Sequence, residues 1–203
     1  MSNIEIYTIK THKNNKYYKV YDEKGQYLEN IDCCDENNIT SQYLKGVTCF
    51  VINQQGEVLL EKRVNKGLTP GKIDLVSGHL DGEEVGTQAI IRELKEEVGI
   101  ELEESINTTK VGTLPLTFNS NGKNRNFFID FYYLIRDSSQ TAIQKTEVEK
   151  VCWVPLNKAF EMIKNGETKF PKGNDMYNEI FKKIELAYHK GNENKIIEDL
   201  ILW

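Results

Sequence analysis

The stretch that decides the fold is Gly78–Ile100, which reads GHLDGEEVGTQAIIRELKEEVGI. Its second half predicts a helix, because apolar residues recur at spacings of four and would face a core: Ile90, Leu94 and Val98. Gly99 follows the last of them, where a helix commonly ends in a left-handed residue. The first half carries glycines and acids and predicts a loop.

Three glutamates of this predicted helix share one face. Glu93, Glu96 and Glu97 stand three and four positions apart, and such side chains are neighbours on a helix. Each like-charge pair costs a few tenths of a kcal/mol in an isolated helix, so the cluster needs a reason. A bound cation would supply one, and ligation by oxygen alone favours Mg²⁺, with Mn²⁺ as a substitute. The alternative is an acidic surface in contact with water.

The whole stretch fits the pattern G-x5-E-x7-R-E-U-x-E-E-x-G-U, in which U is aliphatic. Nine positions fill its fixed places: Gly78, Glu84, Arg92, Glu93, Leu94, Glu96, Glu97, Gly99 and Ile100. This pattern resembles the Nudix box, the motif of the Nudix hydrolases. The resemblance covers about residues 46–155 and implies an α/β fold, an α/β/α sandwich with a mixed sheet.

In the family, Mg²⁺ bridges the box glutamates and a diphosphate, and water attacks a phosphorus. Carried onto the matching positions, the resemblance implies four metal ligands: Gly78 through its carbonyl, Glu93, Glu96 and Glu97. Glu96, Glu97 and Arg92 are the implied catalytic residues, with Arg92 orienting a carboxylate. Glu84 is expected to act on the loop or through water. The general base is left open between a box glutamate and a later acid, such as Glu147 or Glu149.

A looser resemblance upstream points to the branch of the superfamily that includes isopentenyl-diphosphate isomerase. It is carried by Arg63, Lys66, the segment 70–74 and the Gly78–His79 pair. It makes four side chains candidate substrate contacts: Arg63, Lys66, Lys72 and His79.

Isomerisation of an allylic diphosphate is therefore a rival activity. The isomerases use a cysteine just before the Gly-His pair, and this chain has Ser77, a far poorer acid. They also use a histidine-rich metal site, whereas this chain has three histidines in all. A second rival is a Nudix-like module that binds a nucleotide without cleaving it. The favoured substrate is a nucleoside diphosphate linked to another moiety.

Composition limits the class of protein and of partner. The chain has 203 residues and a net charge of −5, which argues against broad binding to nucleic acid or to anionic membranes. Four cysteines without metal-type spacing predict reduced thiols. No signal peptide or membrane span is predicted, so a cytoplasmic protein with a small-molecule diphosphate substrate is expected.

The chain is expected to divide into two parts. Residues 1–45 predict a small N-terminal β extension, a candidate for packing across a two-fold axis in a homodimer. Residues 46–203 predict the hydrolase domain, with strands before and after the box. Its predicted C-terminal helices are one that follows Pro155, a longer one that ends at Gly191, and a last short one.

Overall fold

A computed structural model describes residues 17–32, 39, 41–65, 69–102, 108–120, 122–136 and 143–201, the last eleven as backbone. Lys66 and most of the predicted N-terminal extension lie outside the described residues. The strands are β1 (Tyr17–Tyr21), β2 (Tyr27–Asp32), β3 (Tyr43–Ile52), β4 (Glu57–Arg63), β5 (Ile73–Asp74), β6 (Val76–His79), β7 (Thr109–Ser120), β8 (Lys123–Ile135) and β9 (Val148–Pro155). The helices are α1 (Gly86–Val98), α2 (Leu156–Asn165) and α3 (Tyr177–Ile201).

Strand β3 lies at the centre of a mixed sheet. It runs parallel to β8 over its whole length, from the pair Tyr43–Asn126 to the pair Ile52–Ile135. It runs antiparallel to β6, which leads directly into the loop before α1. Strand β4 pairs with both β5 and β9, and β7 forms a hairpin with β8. The β1–β2 hairpin joins the same sheet through Tyr21 and Tyr43.

Helices cover both faces of the sheet, as the predicted sandwich requires. Alternate residues of β3 point to opposite faces, and from Gly46 to Ile52 both sets are buried. Val47, Cys49 and Val51 pack with the apolar stripe of α1. Phe50 and Ile52 pack on the other face with α2 and α3. The prediction of an α/β/α layered fold is confirmed.

The helix boundaries agree with the sequence at α1 and α2 and differ at α3. Gly99 and Gly166 follow α1 and α2 with φ angles of 67° and 74°, the left-handed conformation that suits glycine. The prediction of two separate helices after α2 is wrong in one respect, because α3 runs through Gly191 without a break. An isolated glycine weakens a helix by only about 1 kcal/mol, which a long helix tolerates. No helix within the described ranges is long and apolar enough to cross a membrane.

The α3 face of the core gives a test of this architecture. Phe181 is 4% exposed and stacks on Phe160 with ring centroids 4.1 Å apart. We expect Phe181→Ala to lower the free energy of unfolding by about 3–5 kcal/mol, measured by urea denaturation, because it leaves a cavity. Met176→Ala is the control, since Met176 is 48% exposed and should change that energy by less than about 0.5 kcal/mol. Equal losses in the two variants would contradict the described packing.

Candidate active site

A cavity of about 240 Å³ opens between α1, the ends of β4 and β6, and the middle of β3 and β8. One end is polar and is lined by Arg63, Ser77, Asp81, Arg92, Glu93, Glu96, Glu97, Gln144, Glu147 and Lys169. The other end is mostly apolar and is lined by Tyr18, His79, Phe118, Phe127, Ile129 and Phe170. The three glutamates that helical spacing placed on one face of α1 therefore share one cavity.

Glycine at position 78 is required by the closeness of α1. A Cβ atom built on Gly78 would lie 1.8 Å from Oε1 of Glu93, far inside any tolerated contact. The Glu93 carboxylate thus rests directly on the backbone of β6, and the side chain is buried. This contact fixes the first acid of the cluster against the backbone whose carbonyl was predicted to be a metal ligand.

Arg92 ties the loop and the helix together. Its Nε and Nη2 atoms each donate to Glu84 at 2.9 Å, and Nη2 also donates to the His79 carbonyl at 2.9 Å. Its Nη1 donates to Glu93 at 2.6 Å and to Glu96 at 3.3 Å. Burial lowers the pKa of Arg92, but the contacts with Glu84 and Glu93 together raise that pKa by more, so the guanidinium stays charged. Arg92 thus connects Glu84, which precedes α1, with Glu93 and Glu96 on the helix.

Glu97 lies deepest in the cluster, with a side chain 2% exposed. Its Oε2 accepts a hydrogen bond from the Ser77 backbone N–H at 3.0 Å, and its Oε1 accepts one from Arg63 at 3.3 Å. Burial raises the pKa of Glu97 well above its usual range, and the neighbouring acids raise it further.

Two further acids back this cluster and were not predicted as site residues. Glu61 on β4 faces Asp74 on β5, and both side chains are fully buried. Burial and the charge of Asp74 raise the pKa of Glu61 to about 8. Glu61 Oε2 and Asp74 Oδ1 have no hydrogen-bond partner in the described residues. An acid within the apolar run of β4 was the sequence signal for Glu61.

The donor set fits a hard divalent cation. The converging groups offer oxygen only, and buried acids with raised pKa values mark a place that lacks positive charge. Burial raises the pKa of Glu93 to about 7 even beside Arg92. Among the described residues no group of three acidic, histidine or cysteine side chains is arranged as a ready-made metal site. The oxygens of Glu93 and Glu96 instead turn toward Arg92.

The predicted substrate contacts are only partly brought together. Arg63 and His79 line the cavity, and the His79 ring lies 5.5 Å from Tyr18 and 5.2 Å from Phe127. Arg63 lies 3.3–3.5 Å from three carboxylates, those of Glu61, Asp74 and Glu97. The side chain of Lys72 is exposed and is not part of the cavity wall.

The two later acids that were candidates for the general base lie in different places. Glu147 lines the cavity, and its backbone is held by hydrogen bonds to Gln144 and Val64. Glu149 is half-exposed and forms an ion pair with Lys62 at 2.8 Å, away from the cavity. The structure therefore brings Glu147 to the acidic cluster and not Glu149.

Comparisons with known proteins agree with the fold. The sequence profile of the NUDIX domain matches residues 42–172. Among solved structures, DR0079 from Deinococcus radiodurans superposes with a TM-score of 0.61 at 18% identity, covering 76% of this chain and 93% of that one. A C. elegans Ap4A hydrolase complex superposes with a TM-score of 0.51 at 20% identity, over 73% of this chain and 98% of that one.

The NUDIX domain of Shewanella oneidensis NrtR, complexed with ADP ribose, gives a TM-score of 0.51 at 19% identity, over 71% of this chain and 88% of that one. At such identities the likeness shows the fold alone. No match is found among curated protein sequences. Fold and site together define a layered α/β/α protein with an acidic cavity beside one helix. The NUDIX match spans well over half of the chain, so the chain belongs to the Nudix family and is a Nudix hydrolase, a pyrophosphohydrolase.

The Arg92 hydrogen bonds can be tested through stability. We expect Arg92→Lys to lower the free energy of unfolding by about 2 kcal/mol, because a lysine cannot reproduce the forked bonds to Glu84 and the His79 carbonyl. Lys95→Gln is the control, since Lys95 forms only an exposed ion pair with Glu101, which contributes roughly 0–1 kcal/mol. Urea denaturation measures both. An unchanged midpoint for Arg92→Lys would show that these bonds do not stabilise the loop.

Proposed function

We propose that this protein is a Mg²⁺-dependent hydrolase that cleaves the pyrophosphate linkage of a nucleoside diphosphate joined to another moiety. One observation carries the proposal. Five acidic side chains line the cavity: Asp81, Glu93, Glu96, Glu97 and Glu147. Only three cationic side chains line it: Arg63, Arg92 and Lys169. All three cationic side chains already form ion pairs with acidic side chains. The described wall therefore offers a diphosphate no cation outside an ion pair, and its ionised acids repel a diphosphate unless divalent cations enter with it.

The residues of the chain would share the work as follows. Glu93, Glu96 and Glu97, with the Gly78 carbonyl, hold Mg²⁺, and Mn²⁺ is its expected substitute. When bound, Mg²⁺ offsets charge on the bridging and leaving oxygens and lowers the pKa of a coordinated water. Arg92 keeps Glu93 and Glu96 in place, and Glu147 is the candidate acceptor of the proton from the attacking water. The aromatic end of the cavity accommodates the base or another planar group.

The contacts of Ser77 do not favour the isomerase alternative. Its hydroxyl donates to Asp74 at 3.1 Å and accepts from Lys169, and the residue is 6% exposed. A hydroxyl engaged in this way is not offered to a substrate carbon. Incubation with isopentenyl diphosphate and Mg²⁺ should therefore give no dimethylallyl isomer.

The proposal is tested with a panel of nucleoside diphosphate derivatives, assayed with Mg²⁺, with Mn²⁺ and with excess chelator. We expect metal-dependent release of a nucleoside monophosphate from at least one of them. Tight binding without release would instead identify a module that only binds nucleotides.

Glu97→Gln should keep the fold and abolish the hydrolysis. Glutamine retains a carbonyl that can accept from the Ser77 N–H but cannot supply the charge, so we expect kcat to fall by about 100-fold or more. The control is Glu101→Gln, a change at an exposed residue that pairs with Lys95. Near wild-type turnover by Glu97→Gln would remove Glu97 from the mechanism.

Glu147→Gln and Glu149→Gln form a matched pair for the general base. We expect Glu147→Gln to lower kcat by about 10²–10⁴-fold and to remove the acidic limb of the pH–rate profile, because a base acts only when it is ionised. Glu149→Gln should match the wild type. An unchanged acidic limb in Glu147→Gln would exclude Glu147 as the base.

The proposal also includes a location in the cytoplasm and a homodimeric state. The described cysteines, Cys49 and Cys152, are free thiols, which is the usual state in the cytoplasm. The β1–β2 hairpin exposes Tyr27 and Leu28, and these side chains would supply contacts for the predicted homodimer. Size-exclusion chromatography with light scattering measures that oligomeric state.

A further inference from the structure

Lys169 enters the acidic end of the cavity from outside the Nudix box. It lies between α2 and α3, and its side chain is 15% exposed. The residues on either side are buried, Thr168 at 3% and Phe170 at 2% exposure. Its backbone N–H donates to the Ile73 carbonyl at 2.9 Å. The position of this lysine is therefore fixed by the backbone of β5 and by its buried neighbours.

The ammonium group of Lys169 closes a triangle with two residues that precede Gly78. Its Nζ lies 2.7 Å from Asp74 Oδ2 and donates a hydrogen bond to Ser77 Oγ. Ser77 Oγ in turn donates to Asp74 Oδ2 at 3.1 Å. Asp74 is fully buried, so the ion pair is formed in a place where it is poorly screened.

This triangle reaches Glu97 through the backbone of Ser77. The same residue that accepts from Lys169 donates its N–H to Glu97 Oε2 at 3.0 Å. The next residue is Gly78, against which Glu93 packs. A displacement of Ser77 would therefore move the supports of two acids of the cluster at once.

The other cations of the site do not offer this connection. Arg63 lies 3.3–3.5 Å from three different carboxylates, so no single one is held closely. Arg92 serves the loop and the outer acids, Glu84, Glu93 and Glu96. Among the cations of the described residues, Lys169 is the one that contacts both Asp74 and the Ser77 side chain closely.

We propose that Lys169 is a positioning residue that holds the Ser77–Gly78 backbone, and through it Glu97, in the geometry needed to bind a divalent cation. The proposal rests on the proposed function, since it assigns Glu97 to metal binding. Lys169 acts through Asp74 and Ser77 and does not touch the substrate. Residues that orient metal ligands in this way typically contribute about 10–100-fold to metal affinity or activity.

The experiment compares Lys169→Met with Lys169→Arg, Ser77→Ala and the control Lys172→Met, a change at an exposed lysine three residues further on. For Lys169→Met we expect kcat to fall by about 10–100-fold with KM changed less than roughly twofold. Lys169→Arg should recover part of kcat. Ser77→Ala should also lower kcat. The kcat of the double variant Ser77→Ala/Lys169→Met should be no lower than that of Lys169→Met alone, because both changes break the same connection.

Two readouts do not depend on turnover. Mn²⁺ binding without substrate, followed by electron paramagnetic resonance, should weaken by about 10-fold or more in Lys169→Met. Hydrogen exchange of the Ser77 amide, followed by NMR, should become faster in Lys169→Met relative to the core of the sheet. Both should be unchanged in Lys172→Met. Should Lys169→Met fail to fold because Asp74 loses its ion pair, Asp74→Asn/Lys169→Met removes both charges and carries the same expectations.

Three results would overturn the proposal. A large rise in KM with unchanged kcat would make Lys169 a substrate contact. Tighter Mn²⁺ binding in Lys169→Met would make it a competing counter-ion. An unchanged exchange rate for the Ser77 amide would show that the triangle does not hold this backbone. If the wild type cleaves none of the diphosphates, the proposed function fails, while amide exchange and Mn²⁺ binding still decide the role of Lys169.

Discussion

The main physical constraint on this structure is a group of carboxylates that are buried close together. Glu61, Asp74, Glu93 and Glu97 are all buried, and they come from three different elements, β4, β5 and α1. Transfer of a charged group from water into the interior costs several kcal/mol for each ion, far more than one solvent-exposed ion pair returns. The fold tolerates the cluster because apolar packing on both faces of the sheet holds α1 against β6. The site is thus stabilised by the core together with the ion pairs that Arg63, Arg92 and Lys169 form with its acids.

Part of this site could be predicted because its signals are local. The shared face of Glu93, Glu96 and Glu97 follows from helical pitch alone, and the end of α1 at Gly99 follows from backbone sterics. The bond from Arg92 to Glu96 is likewise a matter of spacing within one helix. Strands after the box were also predicted, and β7, β8 and β9 are found there.

The rest could not be predicted because it depends on pairing between distant segments. Glu61 meets Asp74 only through the register of β4 and β5, and Lys169 reaches Ser77 across 92 positions of sequence. No periodicity in a single stretch carries such information. Lys72 shows the converse, since a resemblance in sequence placed it near the substrate while its side chain is exposed and does not line the cavity. Continuity of α3 through Gly191 also depends on helix length, which outweighs the local preference of one glycine.

The division of the cavity into two ends has a consequence for how such a site acquires its selectivity. Most of the acids that line the cavity come from the box, and Glu147 comes from the turn before β9. The opposite wall comes from residues far from the box: Tyr18 on β1, Phe118 on β7, Phe127 on β8 and Phe170 after α2. Changes on β1, β7 or β8 alter the shape of this wall at positions outside α1, the helix that carries Glu93 and Glu97. Lys169 is adjacent to Phe170 and joins both ends, so the segment between α2 and α3 contributes to the shape of the cavity and to the geometry of its acids.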